Sequence, residues 1–192
     1  RETFCLGRAA LFDKQYVKAA DLLERAVRLD STGAYSYNAL GISLLEQAKY
    51  DRAVLAFKDA IHRAPWWAYP LHNLALAYTQ IGDYDNAIAA YQKAIRLAPD
   101  YSYLPYNLGL IYQRTNRRRE AEAAYRKAIE LTPNLPEPYV ALGYLVNPAL
   151  FVLSAGRQTD LSTSEGTGQL RIRFWSQGFS AMQEAPVFGL GS

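Results

Sequence analysis

The chain contains one cysteine, one methionine and two histidines in 192 residues. A single thiol, Cys5, excludes an intrachain disulfide and any cysteine-based zinc site. Its Phe4-Cys5-Leu6-Gly7 setting reads as a small side chain buried on a helix rather than a nucleophile. His62 and His72 have no second ligand at metal spacing, and no paired carboxylates or Ser/His/Asp grouping stand out. No catalytic, metal or cofactor site is therefore expected, and His62 reads as a surface residue. Charge of one sign is also lacking: 21 basic and 18 acidic residues leave +3, which points to neither nucleic acid nor an anionic membrane. The longest apolar run in the C-terminal part, Pro148 to Gly156, is well short of the ~20 residues a bilayer span needs. No signal peptide is visible. The chain opens at Arg1, not Met, already inside a helical pattern, and is read as a fragment of something longer.

What the sequence does have is a period. Pro65, Pro99 and Pro133 recur at intervals of 34 residues, and the stretch from Ala68 to Asp100 is repeated in kind from Tyr101 to Pro133. A period in this range predicts a solenoid. Units of about 1–33, 34–67, 68–101 and 102–135 follow, with a half unit at 136–146. Within the unit from Ala34, residues 34–47 and 51–64 each carry helical apolar spacing around a short turn, which predicts two helices of about 14 residues in an antiparallel hairpin.

The recurring residues have packing roles. Leu40, Leu74, Leu108 and Leu142 occupy one equivalent position and are followed by Gly41, Ala75, Gly109 and Gly143, small residues that let a second helix approach closely. Ala53, Ala87 and Ala121, then Phe57, Tyr91 and Tyr125, then Ala60, Ala94 and Ala128 alternate small and aromatic residues along one face of the second helix. In the turn from Gly82 to Ala87, the glycine suits a helix end and Asp85 is placed to cap the next helix. Each proline falls just past a second helix, where it stops the helix without breaking it.

These residues resemble the tetratricopeptide repeat family. Its pattern is nearly complete twice, in Leu74-Ala75, Tyr78, Ala87, Tyr91, Ala94 and Pro99, then in Leu108-Gly109, Tyr112, Ala121, Tyr125, Ala128 and Pro133. The family's tryptophan is replaced by Tyr37, Leu71 and Pro105. In the first unit Leu6-Gly7, Ala19, Leu23 and Ala26 agree, while Ser31 replaces the proline and the aromatic is gone. The resemblance implies an all-α fold over residues 1–146: a right-handed superhelix, or α-solenoid, of antiparallel hairpins, with an irregular C-terminal tail.

It also implies a scaffold whose first helices line a concave groove for a protein or peptide. The groove-facing second position of each unit is Tyr35, Tyr69 and Tyr103; the fifth is Asn38, His72 and Tyr106; the ninth is Ile42, Leu76 and Leu110. Asn73 and Asn107 match the family's asparagines. A tyrosine ladder suits an extended peptide with apolar and polar groups, although packing against the neighbouring unit is the plainer role for such rings. Relatives that clamp chaperone tails carry Lys and Asn where this first unit has Phe4 and Arg8, which disfavours that ligand. Arg114, Arg117, Arg118 and Arg119 cluster at a turn, but Glu120 and Glu122 follow and no aromatic platform interleaves them, so a solvated turn is expected.

Beyond Val146 the period stops. Residues 147–169 read as a linker rich in Gly, Ser and Thr, and 170–192 as a short helix and turn. The spacing of Arg171, Trp175, Pro186, Gly189 and Gly191 resembles a short signature of the O-antigen ligase and polymerase family of membrane glycosyltransferases. That resemblance implies a second reading, a fragment of an enzyme acting on lipid-linked glycans, with Arg171 contacting a pyrophosphate. The family's membrane helices and later histidine motif are absent, and its repeats ordinarily follow the membrane part. The compartment stays open between a bacterial cytoplasm and the extracytoplasmic face of an inner membrane. The unfinished fifth unit is expected to leave Tyr139, Leu142 and Leu145 as an apolar face, covered by the tail through Phe151, Leu153, Phe174 or Trp175, or by a second copy of the chain.

Overall fold

The computed structural model describes residues 2–147. Among these there are nine helices and no strand: α1 (Glu2–Phe12), α2 (Tyr16–Leu29), α3 (Ala34–Leu45), α4 (Tyr50–Arg63), α5 (Ala68–Ile81), α6 (Tyr84–Leu97), α7 (Tyr103–Arg114), α8 (Arg118–Leu131) and α9 (Pro136–Val146). The linker and short helix expected further on, and with them Arg171 and the residues proposed to cover α9, lie outside the described residues.

Consecutive helices pair as hairpins, α1–α2, α3–α4, α5–α6 and α7–α8, and each hairpin packs on the next through α2–α3, α4–α5, α6–α7 and α8–α9. The four hairpin turns share one geometry. Lys14 (φ 58°), Ala48 (φ 57°), Gly82 (φ 88°) and Asn116 (φ 60°) stand at equivalent positions, all left-handed. After each, a backbone N–H reaches back to an odd-helix carbonyl: Gln15 to Ala10 (2.8 Å), Lys49 to Leu44 (2.9 Å), Asp83 to Tyr78 (2.9 Å) and Arg117 to Tyr112 (2.8 Å). This is the Schellman closure, which satisfies carbonyls that a helix end would otherwise leave open.

One capping assignment is corrected. Because α5 ends on Gly82, the N-cap of α6 is Asp83 rather than Asp85: Asp83 accepts from the Asn86 backbone N–H at 3.3 Å and from Asn86 Nδ2 at 2.7 Å. Asp85 lies inside the first turn and pairs with Arg117 at 3.5 Å. Between hairpins, Pro65, Pro99 and Pro133 each follow the last residue of an even helix by two. The N–H of Trp67, Tyr101 and Leu135 then bonds to the carbonyl of Ala64, Ala98 and Thr132, closing a turn with proline at its second position.

The core follows the repeat. Ala53, Ala87, Ala121, Ala60, Ala94 and Ala128 are fully buried, and Phe57, Tyr91 and Tyr125 lie between them. The aromatic rings rest on the backbone of the facing odd helix. A Cβ placed on Gly41 would stand 2.5 Å from the Phe57 ring, and one on Gly109 2.5 Å from the Tyr125 ring.

Odd helices also touch one another, at α1–α3, α3–α5 and α7–α9, whereas no two even helices pack to that extent. An array held more tightly along one side curves toward it, so the odd helices form the concave face and the even helices the convex one. Ion pairs bridge the even helices at two steps, Glu24–Arg52 (2.7 Å) and Asp85–Arg117 (3.5 Å).

The ends depart from expectation. Cys5 is exposed, not buried. Its counterparts Ala39 and Asn73 are covered by the preceding hairpin, and α1 has no such neighbour among the described residues; Leu6 is 51% exposed for the same reason, against 7% for Leu40. At the other end, Leu145 is buried with Ala141 against Ala121 and Tyr125, and Leu142 packs on the same cluster. The face expected to be open is largely seated on α8, because a first helix uses it to pack on the unit before.

Candidate functional site

The tyrosine ladder lies at the start of successive odd helices. Tyr35 is the second residue of α3, Tyr69 the second of α5 and Tyr103 the first of α7, and all three are exposed. They do not stand alone. The Tyr35 ring sits 4.5 Å from that of Trp67, Trp67 is 6.2 Å from Tyr69, Tyr69 is 6.1 Å from His72, and Tyr101 is 5.9 Å from Tyr103. The rings thus pack against neighbours and still present surface.

Trp67 and Tyr101, which the sequence reading overlooked, are the loop residues immediately before α5 and one position further before α7. The signal was present in the period, since Gly33, Trp67, Tyr101 and Leu135 hold one repeat position.

α5 and α7 do not pack on each other as the other odd helices do. Beside this step a cleft of about 330 Å³ opens, with Trp66, Trp67, Tyr69 and His72 around the start of α5 and Leu97, Ala98, Tyr101 and Leu104 at the α6–α7 corner. Among the described residues no charged side chain lines it. His72 is half-buried at its wall, with its ring 5.6 Å from Tyr91 in an edge-on arrangement. Its Nδ1 is enclosed and has no hydrogen-bond partner among the described residues. Loss of hydration holds its pKa below the ordinary histidine value, so it is a neutral ring at pH 7.

Of the other expected groove residues, the asparagines are engaged within the array. Asn38 and Asn73 are both buried, and Asn73 Nδ2 donates to Asn38 Oδ1 at 3.0 Å, so they tie α3 to α5 rather than facing a ligand. Asn107 Nδ2 donates to the Tyr103 carbonyl of its own helix at 2.8 Å. Tyr106 is half-buried with its ring 6.1 Å from that of Tyr125. Ile42 and Leu76 are half-buried, and Leu110 is exposed.

The arginine cluster is exposed but engaged. Arg114 lies over the Tyr84 ring at 5.7 Å, Arg117 pairs with Asp85, and Arg118 donates to the Leu145 carbonyl. These contacts link neighbouring units at a turn whose four arginines are all exposed, as expected of a solvated turn. His62 is exposed as expected. Among the described residues no group of three His, Cys, Asp or Glu is placed to hold a metal, and no helix is long and apolar enough to cross a membrane.

Comparison with known proteins agrees with this architecture. Residues 75–116 match the model of the TPR repeat, and residues 106–135 that of the tetratricopeptide repeat. No curated protein matches the chain in sequence. Among solved structures, MamA aligns with a TM-score of 0.71 at 18% identity, over 93% of this chain and 95% of its own. TTC0263, a thermophilic TPR protein in Thermus thermophilus, aligns with a TM-score of 0.68 at 23% identity, over 93% and 98%. The first TPR of Spaghetti (RPAP3), bound to the HSP90 peptide SRMEEVD, aligns with a TM-score of 0.58 at 23% identity, over 63% and 96%. The fold is the tetratricopeptide-repeat α-solenoid, built of helix hairpins.

Proposed function

We propose that this array is a protein-interaction scaffold that holds an extended segment of a partner along its concave face, with one large side chain of that segment seated in the cleft between α5 and α7. The observation that carries this reading is the cleft itself: Trp66, Trp67, Tyr69 and Tyr101 surround about 330 Å³ of open space next to exposed Tyr35 and Tyr103. Rigid aromatic rings supply contact area at little entropic cost, and their polar edges accept the backbone of an extended chain. Such anchors dominate binding energy where they fill or form pockets.

A peptide-bound neighbour of the same fold is consistent with this use. The ligand chemistry differs, because Phe4 and Arg8, with Arg8 lying 5.7 Å over the Phe4 ring, stand in place of a carboxylate clamp.

The test is capture of a partner from lysate by the intact array and by the double variant Tyr69→Ala, Tyr103→Ala. Both side chains are at least 40% exposed, so helical content by circular dichroism is expected to hold while capture is abolished. Loss of an aromatic anchor costs about 2 kcal/mol or more. Capture unchanged by the double substitution overturns the proposal.

A further inference from the structure

The convex face carries a second surface, independent of the groove. Between α4 and α6 lies a depression of about 650 Å³ whose floor is Ile61, Leu71, Leu74 and Tyr78 and whose rims carry Lys58, His62 and Lys93. Its chemistry stands out against the steps on either side. At the α2–α4 step, Glu24 pairs with Arg52 at 2.7 Å. One repeat later, the same two positions are Lys58 and Asn86, both lining the depression. The ion pair that closes the earlier step is replaced by a cation facing an amide. The α6–α8 step is again bridged, by Asp85 and Arg117.

Neither Lys58 nor Lys93 forms an ion pair among the described residues, and Lys58 Nζ rests 5.7 Å above the Tyr78 ring. Among the described residues no carboxylate lines the depression. We infer that this groove is a docking surface for an acidic amphipathic segment of a partner protein, with apolar side chains on the Ile61–Leu71–Leu74 floor and carboxylates meeting Lys58 and Lys93. Charge complementarity selects the partner's sign. The apolar floor requires side chains that a nucleic-acid backbone does not carry.

Fluorescence anisotropy with a labelled helical peptide bearing Leu and Phe on one face and Glu beside them tests the inference. Two control peptides replace the Glu residues by Lys, or the Leu and Phe by Ser. The protein is the full chain, with Lys58→Gln plus Lys93→Gln, and separately Ala89→Tyr, which fills the exposed rim and keeps both charges. The acidic-apolar peptide is expected to bind. Loss of both lysines weakens it on the order of tenfold, with a flatter salt dependence. Ala89→Tyr weakens it as well. Binding that persists in the Tyr69→Ala, Tyr103→Ala array separates this surface from the concave face. The inference falls if the acidic peptide does not bind, if the Ser control or a DNA oligonucleotide binds equally well, or if the tyrosine variant abolishes binding and the lysine variant does not.

Discussion

Two residues in the hairpin turns adopt a conformation their side chains disfavour. Ala48 at φ 57° and Lys14 at φ 58° occupy the left-handed position that Gly82 fills without strain one and two repeats later. A residue with a Cβ pays about 1–2 kcal/mol there, while glycine adds about 0.4–1 kcal/mol of unfolded-state entropy. Ala48→Gly is therefore expected to stabilise the chain by about 0.5–1 kcal/mol, read as a higher urea midpoint at unchanged slope. The reverse change, Gly82→Ala, is expected to lose about 1 kcal/mol, and since no described residue lies within 4 Å of the added Cβ the loss reports backbone strain alone. A neutral or destabilising Ala48→Gly contradicts this account. The helical spacing on either side placed the turn at Ala48, but only Gly82 signalled left-handed backbone, because alanine and lysine carry no local sign of it. Only the 34-residue alignment of the four turns reveals it. Asp83 was missed as a cap for a related reason: with aspartates at 83 and 85, the choice depends on where α5 stops.

At the scale of helices, the part of the fold that repeats was legible because each repeated residue answers one packing demand. Fully buried alanines set the distance between helices, and the glycines at 41 and 109 leave room for the Phe57 and Tyr125 rings. Gly41→Ala tests that assignment. On an exposed helix this change gains about 1 kcal/mol of helix propensity. Here the added methyl meets ring carbons at 2.5 Å, and crowding a packed core costs about 1–3 kcal/mol. A net loss near ~1 kcal/mol is expected by denaturant titration, and a gain shows that the ring moves aside freely. The α5–α6 hairpin already holds Ala75 beside Tyr91, so it has found an arrangement for that methyl. What pattern alone did not show was the contact each residue makes across units. Asn38 and Asn73 looked like ligand groups until the α3–α5 approach joined them, and Cys5 looked buried because its counterparts have a hairpin behind them. Trp67 and Tyr101 lie in loops, outside the helical pattern, yet they supply part of the cleft wall.

Across the whole molecule, the stability of a repeat array is approximately a sum over hairpins and the interfaces between them. Those interfaces are unequal here. First helices pack on each other at α1–α3, α3–α5 and α7–α9 but not to that extent at α5–α7, where the aromatic cleft lies between the start of α5 and the α6–α7 corner. The third and fourth hairpins therefore share the least on the concave side, and opening at this step is expected before global unfolding. The tryptophans are placed to report it: Trp66 and Trp67 both line the cleft, and Trp175 is the remaining one. In a Trp175→Phe chain, the fluorescence midpoint in urea is expected below the midpoint of helical circular dichroism; coincident midpoints would show that the array melts as one unit. The same readout bears on function. A ligand that binds the closed cleft and not the opened one stabilises it by RT ln(1 + [L]/Kd), about 2.7 kcal/mol at a hundredfold excess over Kd. A partner segment seated in the cleft must therefore raise the fluorescence midpoint toward the circular-dichroism one, whereas a ligand held only by the convex Lys58–Lys93 groove must leave the gap between the two midpoints in place.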